Sequence, residues 1–352
     1  MSRFMTEKLQ TLQAYVPGEQ PRDKKYVKLN TNESPFPPAP EAVRRAKEDE
    51  NSLQLYPDPD CNVMLDRLAR NFGMPKENFI ICNGSDEILD FAILAFGDEK
   101  HPVYFPDITY GCYPVFSDKY CVPYATIPLK DDFSIEVNDY LDKDGVIIIA
   151  NPNAPTGLTI SVGDVERIVK AKPDRVVIID EAYVDFGAQT SIELIRKYDN
   201  LLIIRTMSKS SSLAGARLGF AAGSRELISD LYTIKYSTNP YNINRLSAVI
   251  GAAVLDSEDY VSSNCRKIQE IRSYTAEKLK ALGFEMTDSK ANFLFVSHPK
   301  YKAEDLYLTL KDMGVLVRFF GKKRIENYLR ITVGTKEQMD ILIGCLEKIM
   351  EA

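Results

Sequence analysis

The sequence contains no tryptophan and only two histidines, His101 and His298, among its 352 residues. Two histidines cannot form a histidine-rich metal site, and a catalytic serine would need one of them as its base. The six cysteines include no Cys-x-x-Cys pair, so the sequence indicates neither a zinc knuckle nor a redox dithiol. These shortages predict that any demanding chemistry comes from a lysine, from carboxylates or from a cofactor, and that no metal site is present.

The chain also lacks an excess of basic residues and any long apolar run. Its 44 lysines and arginines against 50 aspartates and glutamates give a net charge of −6, whereas nucleic-acid phosphates demand a basic surface. No uncharged apolar run approaches the ~20 residues of a membrane span, and residues 1–8 lack the apolar core of a signal peptide. We therefore expect a cytoplasmic protein that binds neither nucleic acid nor membranes.

Short apolar runs rich in β-branched residues alternate with helical stretches through the middle of the chain. Such runs, bounded by turn residues, are typical of buried parallel strands. The candidate strands are residues 79–82, 145–150, 175–180, 201–205 and 217–222. Strands separated by helices predict an α/β fold, in which helices cover both faces of a mostly parallel sheet.

The C-terminal third has a different pattern. A long helical stretch over residues 260–281 precedes two strand-like segments and two further helical stretches, which together predict a small α+β domain. We divide the chain into an N-terminal arm (1–30), a large three-layer α/β/α domain (31–255) and a small domain (256–352) that the N-terminal segment completes.

Polar residues lie where the candidate strands end, and ligands of open α/β sheets bind beyond those carboxyl ends. Gly84, Ser85 and Asp86 follow the first strand and open a helix, whose N-terminal N–H groups could bind a phosphate. An ordinary capped helix would show the same pattern. Asp180 ends another strand, and its buried carboxylate needs a partner, either the cationic ring nitrogen of a cofactor or a nearby lysine or arginine.

Lys209 lies among hydroxyl residues just beyond the strand at 201–205, so it is either a solvated surface group or a covalent catalyst. Arg217, eight residues later, could bind a phosphate with its guanidinium. Together with the residues at the other strand ends, these two provide the groups that pyridoxal phosphate requires. They are a phosphate cradle, a carboxylate for the pyridinium nitrogen, an amine for a Schiff base and an arginine.

The order of these motifs resembles that of the fold-type I aminotransferases, which depend on pyridoxal 5′-phosphate. The motifs are Asn151-Pro-Asn-Ala-Pro-Thr-Gly157, Asp180-Glu-Ala-Tyr183 and Ser208-Lys209 followed by Arg217. The flanking segments are similar to those of the histidinol-phosphate aminotransferase family at 29–35, 56–59, 241–245 and 324–335. The resemblance spans nearly the whole chain. It implies amino-group transfer between histidinol phosphate or glutamate and imidazole-acetol phosphate or 2-oxoglutarate, in histidine biosynthesis.

The resemblance also implies a role for each residue that matches a family motif. Lys209 would form the Schiff base and carry the transferred proton, Asp180 would pair with the pyridinium nitrogen, and Tyr183 would donate to the phenolic oxygen. Tyr110 would stack on the cofactor ring. The residues expected around the phosphate are Gly84, Ser85, Asp86, Thr206, Ser208, Arg217 and Tyr56 of the partner subunit, so the family implies a homodimer.

One position departs from the family pattern. The family often has an asparagine directly before Pro-Thr-Gly, where it bonds the phenolic oxygen, and this chain has Ala154 there. One donor is therefore missing or replaced. Either Tyr183 serves alone, or Asn151 reaches in from the end of its strand.

Four residues match positions that bind substrate in the family. Arg330 would hold the α-carboxylate of glutamate, and Arg318 and Tyr15 would hold the phosphate of histidinol phosphate. Asn32 lies in the family motif near the substrate, although a turn-forming asparagine is equally consistent with that pattern. Because histidinol phosphate has no carboxylate, Arg330 would accept a carboxylate in one half-reaction and could accept phosphate in the other.

Several alternatives share part of this pattern. Threonine-phosphate decarboxylase and the aromatic aminotransferases have the same fold and the same lysine, aspartate and arginine, so both stay open. A pyridoxal-binding regulator would need an added DNA-binding domain and a basic face. A dinucleotide dehydrogenase would need Gly-x-Gly-x-x-Gly after a strand, and Gly84 stands alone.

Overall fold

The computed structural model describes residues 2–48 and 53–351. The strands assigned within these ranges are β1 (Val27–Lys28), β2 (Phe79–Cys82), β3 (Val103–Pro106), β4 (Tyr124–Ile127), β5 (Val146–Ala150), β6 (Val177–Asp180), β7 (Leu201–Thr206), β8 (Gly219–Ala222), β9 (Glu285–Met286), β10 (Phe293–Ser297), β11 (Val315–Leu316), β12 (Arg318–Phe319) and β13 (Tyr328–Thr332). The helices are α1 (Pro40–Glu48), α2 (Asn62–Phe72), α3 (Ser85–Phe96), α4 (Cys112–Tyr120), α5 (Asn138–Leu141), α6 (Val162–Ala171), α7 (Arg225–Thr238), α8 (Arg245–Leu255), α9 (Glu258–Ala281), α10 (Ala303–Asp312) and α11 (Lys336–Glu351).

The larger sheet has seven strands in the order β2-β8-β7-β6-β5-β3-β4. Its neighbours pair in parallel from β7 to β4, whereas β8 runs antiparallel to both β2 and β7. The predicted α/β fold with a mostly parallel sheet is therefore confirmed. The order places the carboxyl ends of β5, β6 and β7 side by side, which is where the chemically distinctive residues follow.

The apolar strands are buried on both faces because helices cover the sheet on each side. Along β5, Ile147 and Ile149 pack with α2, α6 and α8. The alternate residues Val146 and Ile148 pack with α3, α4 and α7. This arrangement explains why the central strands are near-continuous β-branched runs without polar alternation.

A smaller antiparallel sheet with the order β12-β13-β10-β9 lies in the C-terminal part of the chain. The apolar face of this sheet packs against α9, α10 and α11. Near the start of the chain, β1 pairs in parallel with β11 of the C-terminal part, with Val27 opposite Val315. This pairing joins the N-terminal segment to the C-terminal part of the chain, and the division into domains stays a prediction.

The structure differs from the sequence-based expectations in three places. The candidate strand at 217–222 begins at Gly219 and is antiparallel, because it lies between β2 and β7 at one end of the sheet. In the larger sheet, the two strands β3 and β4 were not predicted, since β3 contains a proline and most of β4 is exposed. The N-terminal arm contains β1 and a turn of 3-10 helix at Glu7–Leu9, neither of which was predicted from the sequence.

Over the described part of the chain, no helix combines the length and apolarity that crossing a membrane would require. The same residues contain no group of three or more histidine, cysteine, aspartate or glutamate side chains arranged to hold a metal ion.

Gly219 allows a close approach that the sheet requires. A Cβ atom at this position would lie 2.5 Å from the backbone nitrogen of Ser85 and 2.6 Å from the carbonyl carbon of Gly84. We expect Gly219→Ala to lower the free energy of unfolding by about 2 kcal/mol or more, because backbone must move. Gly344, in α11, is the control, because nothing lies within 4 Å of its Cβ position. Gly344→Ala should therefore raise the free energy of unfolding by up to about 1 kcal/mol.

Urea unfolding of both variants, followed by circular dichroism, measures these two changes. Equal effects of the two substitutions would show that the contact at Gly219 does not constrain the fold.

Candidate active site

A cavity of about 330 Å³ lies beyond the carboxyl ends of β5, β6 and β7. Nine of the sixteen residues predicted from the sequence line it: Ser85, Asp86, Tyr110, Asp180, Tyr183, Thr206, Ser208, Lys209 and Arg217. Residues separated by more than one hundred positions therefore meet in one space, as the parallel sheet requires. The other seven predicted residues lie around this cavity or away from it.

Lys209 follows β7, and its amine enters the cavity from the strand end. The Nζ atom donates a hydrogen bond to the carbonyl oxygen of Thr31 at 3.2 Å. Burial, together with the nearby positive charge of Arg330, lowers the pKa of this amine to about 8, against the opposing effect of Glu33. A substantial fraction of the amine is therefore neutral near pH 8, and only the neutral amine can attack a carbonyl group.

Asp180 ends β6 with its carboxylate buried beneath the cavity. Its Oδ2 atom accepts a hydrogen bond from the hydroxyl of Tyr113 at 2.9 Å, and its Oδ1 atom accepts one from the Ala182 N–H at 3.1 Å. Burial raises the pKa of Asp180 to about 6, although the Tyr113 hydrogen bond opposes that rise. Within the described ranges, no lysine, arginine or histidine forms an ion pair with this carboxylate. A cationic ring nitrogen would therefore stabilise it.

Tyr113 was not predicted from the sequence. It is fully buried and lies on α4, whereas Tyr110, three residues earlier, precedes the helix. Their centroids are 5.6 Å apart, with the ring planes at 82°. No local pattern of the sequence indicates this contact, because only the position of α4 against β6 brings the Tyr113 hydroxyl to Asp180.

A pocket suited to an anion forms where α3 begins. Gly84 has φ +86°, and a Cβ atom there would lie 2.8 Å from the Nη2 atom of Arg217. Arg217 forms an ion pair with Asp86 at 3.2 Å. The first N–H groups of α3, starting at Ser85, have no partner within the helix. A helix N-terminus beside a guanidinium is an arrangement that binds phosphate.

Tyr110 lines the cavity and connects it to the N-terminal segment. Its hydroxyl donates to Asp86 at 2.8 Å, and burial raises the pKa of its phenol. The ring of Tyr15 lies 6.1 Å from the ring of Tyr110. Tyr15, which is not a lining residue, therefore lies next to the wall of the cavity.

Arg318 and Arg330 occupy directly opposite positions on β12 and β13. Arg330 donates to the carbonyl oxygen of Asn30 at 3.0 Å, while its Nε atom is buried without a hydrogen-bond partner. Burial lowers the pKa of Arg330. Arg318 donates to the carbonyl oxygens of Val16 and Pro17 at 3.3 and 3.4 Å. Since no described carboxylate pairs with either arginine, the two guanidinium groups are available to bind an anion.

Asn151 and Tyr56 lie outside the cavity. The side chain of Asn151 bonds both the N–H and the carbonyl oxygen of Ile160 at 3.1 Å, which closes the loop that follows β5. Ala154, from the same loop, lines the cavity instead. Tyr56 is 78% exposed and stacks on Tyr241 with ring centroids 4.5 Å apart.

Two asparagines hold the loops around the cavity. Asn153 was not predicted, and it donates to the carbonyl oxygen of Ile108 at 2.9 Å and accepts from the Thr109 hydroxyl at 2.7 Å. These bonds fix the segment that carries Tyr110. Asn32 was predicted to bind substrate, and its amide lies instead against the hydroxyl of Tyr183 at 2.9 Å.

The chain is similar to aminotransferases over almost its whole length. Residues 24–346 match the family "Aminotransferase class I and II". The chain is 48% identical to the histidinol-phosphate aminotransferase of Brachyspira hyodysenteriae over 354 aligned positions, which cover 100% of both proteins. It is 43% identical to the histidinol-phosphate aminotransferase of Clostridium botulinum, with 99% of each protein covered.

Solved structures show the same fold. The histidinol-phosphate aminotransferase of Sinorhizobium meliloti in complex with pyridoxal-5′-phosphate superposes with a TM-score of 0.91 at 23% identity, covering 100% of this chain and 98% of that one. The L-threonine-O-3-phosphate decarboxylase of Porphyromonas gingivalis gives a TM-score of 0.80 at 20% identity, covering 92% and 99%. At these identities the superpositions establish the fold alone.

Asp180 should weaken the folded state when no ligand is bound. Its pKa is about 6 in the folded chain against an ordinary value of 3.8, so its ionised form is disfavoured by folding above about pH 6. This cost disappears as the pH falls below about 4, where the carboxyl is protonated in both states. We expect Asp180→Asn to raise the free energy of unfolding by about 1–3 kcal/mol at pH 7.5, with a smaller gain at pH 4.5.

Urea unfolding of the ligand-free protein at the two pH values measures this difference. The buried-carboxylate argument fails if Asp180→Asn is no more stable than the unsubstituted protein at pH 7.5.

Proposed function

The chain belongs to the class I and II aminotransferase family, and we propose that it is a histidinol-phosphate aminotransferase. It would transfer the amino group of L-histidinol phosphate to 2-oxoglutarate, or the reverse. The observation that carries the proposal is the convergence on one cavity of the Lys209 amine, with its lowered pKa, and the Asp180 carboxylate, which lacks a cationic partner in the described structure. The relatives that are 43–48% identical over nearly the full chain support the choice of substrate.

The residues of the cavity fit pyridoxal 5′-phosphate, the cofactor of this family. The ring nitrogen of that molecule matches the buried carboxylate of Asp180, which has no other cation to neutralise it. The phosphate matches the start of α3, where Gly84 leaves the space that a Cβ atom would fill beside Arg217. Ser85, Thr206 and Ser208 would supply further donors there. The aldehyde matches the amine of Lys209, which is the only lysine that lines the cavity within the described ranges.

When bound, pyridoxal phosphate supplies an electron sink for the electron pair of the substrate Cα–H bond. Lys209 would act as the base that removes the proton from the substrate Cα and delivers it to the C4′ carbon of the cofactor. It can do so because burial keeps a large part of the free amine neutral. Asp180 holds a proton on the ring nitrogen. Arg217 fixes the position of the phosphate, and Tyr183 donates a hydrogen bond to the phenolic oxygen.

The paired arginines on β12 and β13 account for two substrates of different charge. Glutamate presents an α-carboxylate, which Arg330 would grip with the Nε atom that has no partner in the protein. Histidinol phosphate has no carboxylate, and its phosphate would meet Arg318 and Tyr15. Because the two guanidinium groups lie opposite each other, one anion site could serve both half-reactions.

A homodimer would complete the site. Three apolar side chains close together in the sequence are each more than half exposed: Leu53, Leu55 and Tyr56. The ring of Tyr241 stacks on that of Tyr56. An exposed apolar group of this kind favours a protein interface. Tyr56 of the partner subunit would then reach the cofactor phosphate.

We further propose that the enzyme is cytoplasmic. All six cysteines are free in the structure, and an environment that keeps thiols reduced suits them.

A half-reaction titration tests the substrate. The purified protein loaded with pyridoxal phosphate is mixed in separate experiments with histidinol phosphate, threonine phosphate and tyrosine, and its visible absorbance is followed. We expect histidinol phosphate to bleach that absorbance at the lowest concentration. Release of carbon dioxide from threonine phosphate would identify a decarboxylase instead, and preferential bleaching by tyrosine would identify an aromatic aminotransferase.

Arg318→Ala tests the anion site. Loss of a charged hydrogen bond costs about 1.5–3 kcal/mol, so the KM for histidinol phosphate should rise roughly 10- to 100-fold. The half-reaction with glutamate should change less, because Arg330 is retained. Arg45→Ala, which removes an exposed arginine paired with Glu41 on α1, is the control. An unchanged KM for histidinol phosphate in Arg318→Ala would refute the assignment.

A further inference from the structure

The hydroxyl of Tyr183 accepts a hydrogen bond from the protein. The Nδ2 atom of Asn32 donates to it at 2.9 Å, and both side chains are buried. Tyr183 lines the cavity, and its ring is held edge-on against Phe293 with centroids 5.1 Å apart. The hydroxyl group is therefore held in position by Asn32, and the ring is held by Phe293.

The small sheet fixes Asn32 itself. The backbone N–H of Asn32 donates to the hydroxyl oxygen of Thr332 at 2.9 Å, and the Thr332 hydroxyl donates to the Oδ1 atom of Asn32 at 3.1 Å. The side chain of Asn292 donates to the Asn32 carbonyl oxygen at 3.0 Å. Since Oδ1 is already bonded to Thr332, the amide nitrogen faces Tyr183. The φ angle of Asn32 is +54°, a conformation that asparagine tolerates better than most residues.

The proton of Tyr183 remains free for a ligand. A hydroxyl group has one proton to donate and lone pairs to accept with, and Asn32 occupies a lone pair. The Tyr183 hydroxyl donates to no residue in the described part of the protein. Its proton can therefore point into the cavity.

The side chain of Ala154 contributes no hydrogen-bond donor to the cavity. Ala154 is 4% exposed and lines the same cavity with only a methyl group. The aminotransferases that this chain resembles often place an asparagine there as a second donor to the phenolic oxygen of the cofactor. In this chain that donor is absent, and the asparagine nearest to the phenolic group of Tyr183 comes from the N-terminal segment.

We propose that Asn32 is a positioning residue, which turns the Tyr183 hydroxyl proton toward the phenolic oxygen of pyridoxal phosphate and so replaces the donor lost at Ala154. The inference rests on the proposed function. It assigns Asn32 to tuning of the cofactor rather than to substrate binding. A hydrogen bond that accepts at the oxygen of Tyr183 also makes its proton a stronger donor, because the two bonds polarise each other.

Several charged and titratable groups near Tyr183 also affect how the site responds to pH. They are Arg330, Asp180, Asp86, Lys209, Tyr15 and Tyr113. Burial raises the pKa of Tyr183, while Arg330 and the Asn32 hydrogen bond oppose that rise. None of these groups is altered by a substitution at position 32, so a change in the pH response would come from the lost amide.

Asn32→Gly is the variant of choice, because glycine accepts φ +54° without strain while the amide is removed. The readout is the pH midpoint of the visible absorbance change in the enzyme loaded with pyridoxal phosphate. Donors to the phenolic oxygen stabilise its anion and hold this midpoint low. We expect Asn32→Gly to raise the midpoint by about 0.5–1 pH unit.

A double-substitution cycle separates this role from a structural one. Tyr183→Phe alone should raise the midpoint, and adding Asn32→Gly to it should cause no further rise. Adding Ala154→Asn to Asn32→Gly should lower the midpoint again, because a direct donor is restored. Asn78→Ala, the control, removes a partly buried amide that lies just before β2 and bonds the carbonyl oxygen of Gly223 at 2.7 Å, and it should leave the midpoint unchanged.

Two failures are distinguishable. A protein that takes up no pyridoxal phosphate, as judged by its visible absorbance, would overturn the proposed function itself. A loaded enzyme with the expected absorbance, in which Asn32→Gly leaves the midpoint where it was or shifts it equally in the Tyr183→Phe background, would overturn the role of Asn32 alone.

Discussion

The buried carboxylate of Asp180 is the constraint on which the rest of the site depends. A carboxylate at the end of a central parallel strand cannot reach bulk water, and two hydrogen bonds from Tyr113 and Ala182 do not offset its burial. The folded chain therefore holds an acid that is stabilised fully only by a cation from outside the protein. A ring nitrogen that carries a proton would meet this need, and in our proposal Asp180 would in turn keep that nitrogen protonated.

The remaining charges of the cavity are arranged so that they do not neutralise Asp180. Arg217 is paired with Asp86 at the start of α3, and Glu33 is paired with Lys28 on the N-terminal segment. Lys209 is held by a carbonyl oxygen instead of a carboxylate, which allows burial to lower its pKa. Had Lys209 paired with Asp180, the amine would stay protonated and the acid would not need a ligand. Because Lys209 and Asp180 do not pair with each other, the amine can lose its proton and the carboxylate stays available to a ligand.

The residues that the sequence revealed are those whose role follows from local position. Asp180 and Lys209 each come directly after an apolar strand, and the carboxyl ends of parallel strands converge whatever the details of packing. Tyr113, by contrast, reaches Asp180 only through the rotation of α4 against the sheet. The contact between Asn32 and Tyr183 joins positions 151 residues apart, and the pairing of Arg318 with Arg330 depends on strand register. One residue of slippage would place those side chains on opposite faces, and no local pattern specifies it.

The N-terminal segment links the two sheets, and this explains why its residues reach the site. Thr31 receives the Lys209 hydrogen bond from the end of β7, while Asn32, the next residue, is fixed by Thr332 of β13. Asn30 holds Arg330, which binds an anion in our proposal. Three consecutive residues thus contact Lys209, Tyr183 and Arg330, to which we assign the covalent, cofactor-binding and anion-binding roles. Movement of the small sheet would therefore also change the surroundings of Lys209 and Tyr183, because Thr31 and Asn32 bond both side chains and Asn32 is bonded to Thr332 of β13.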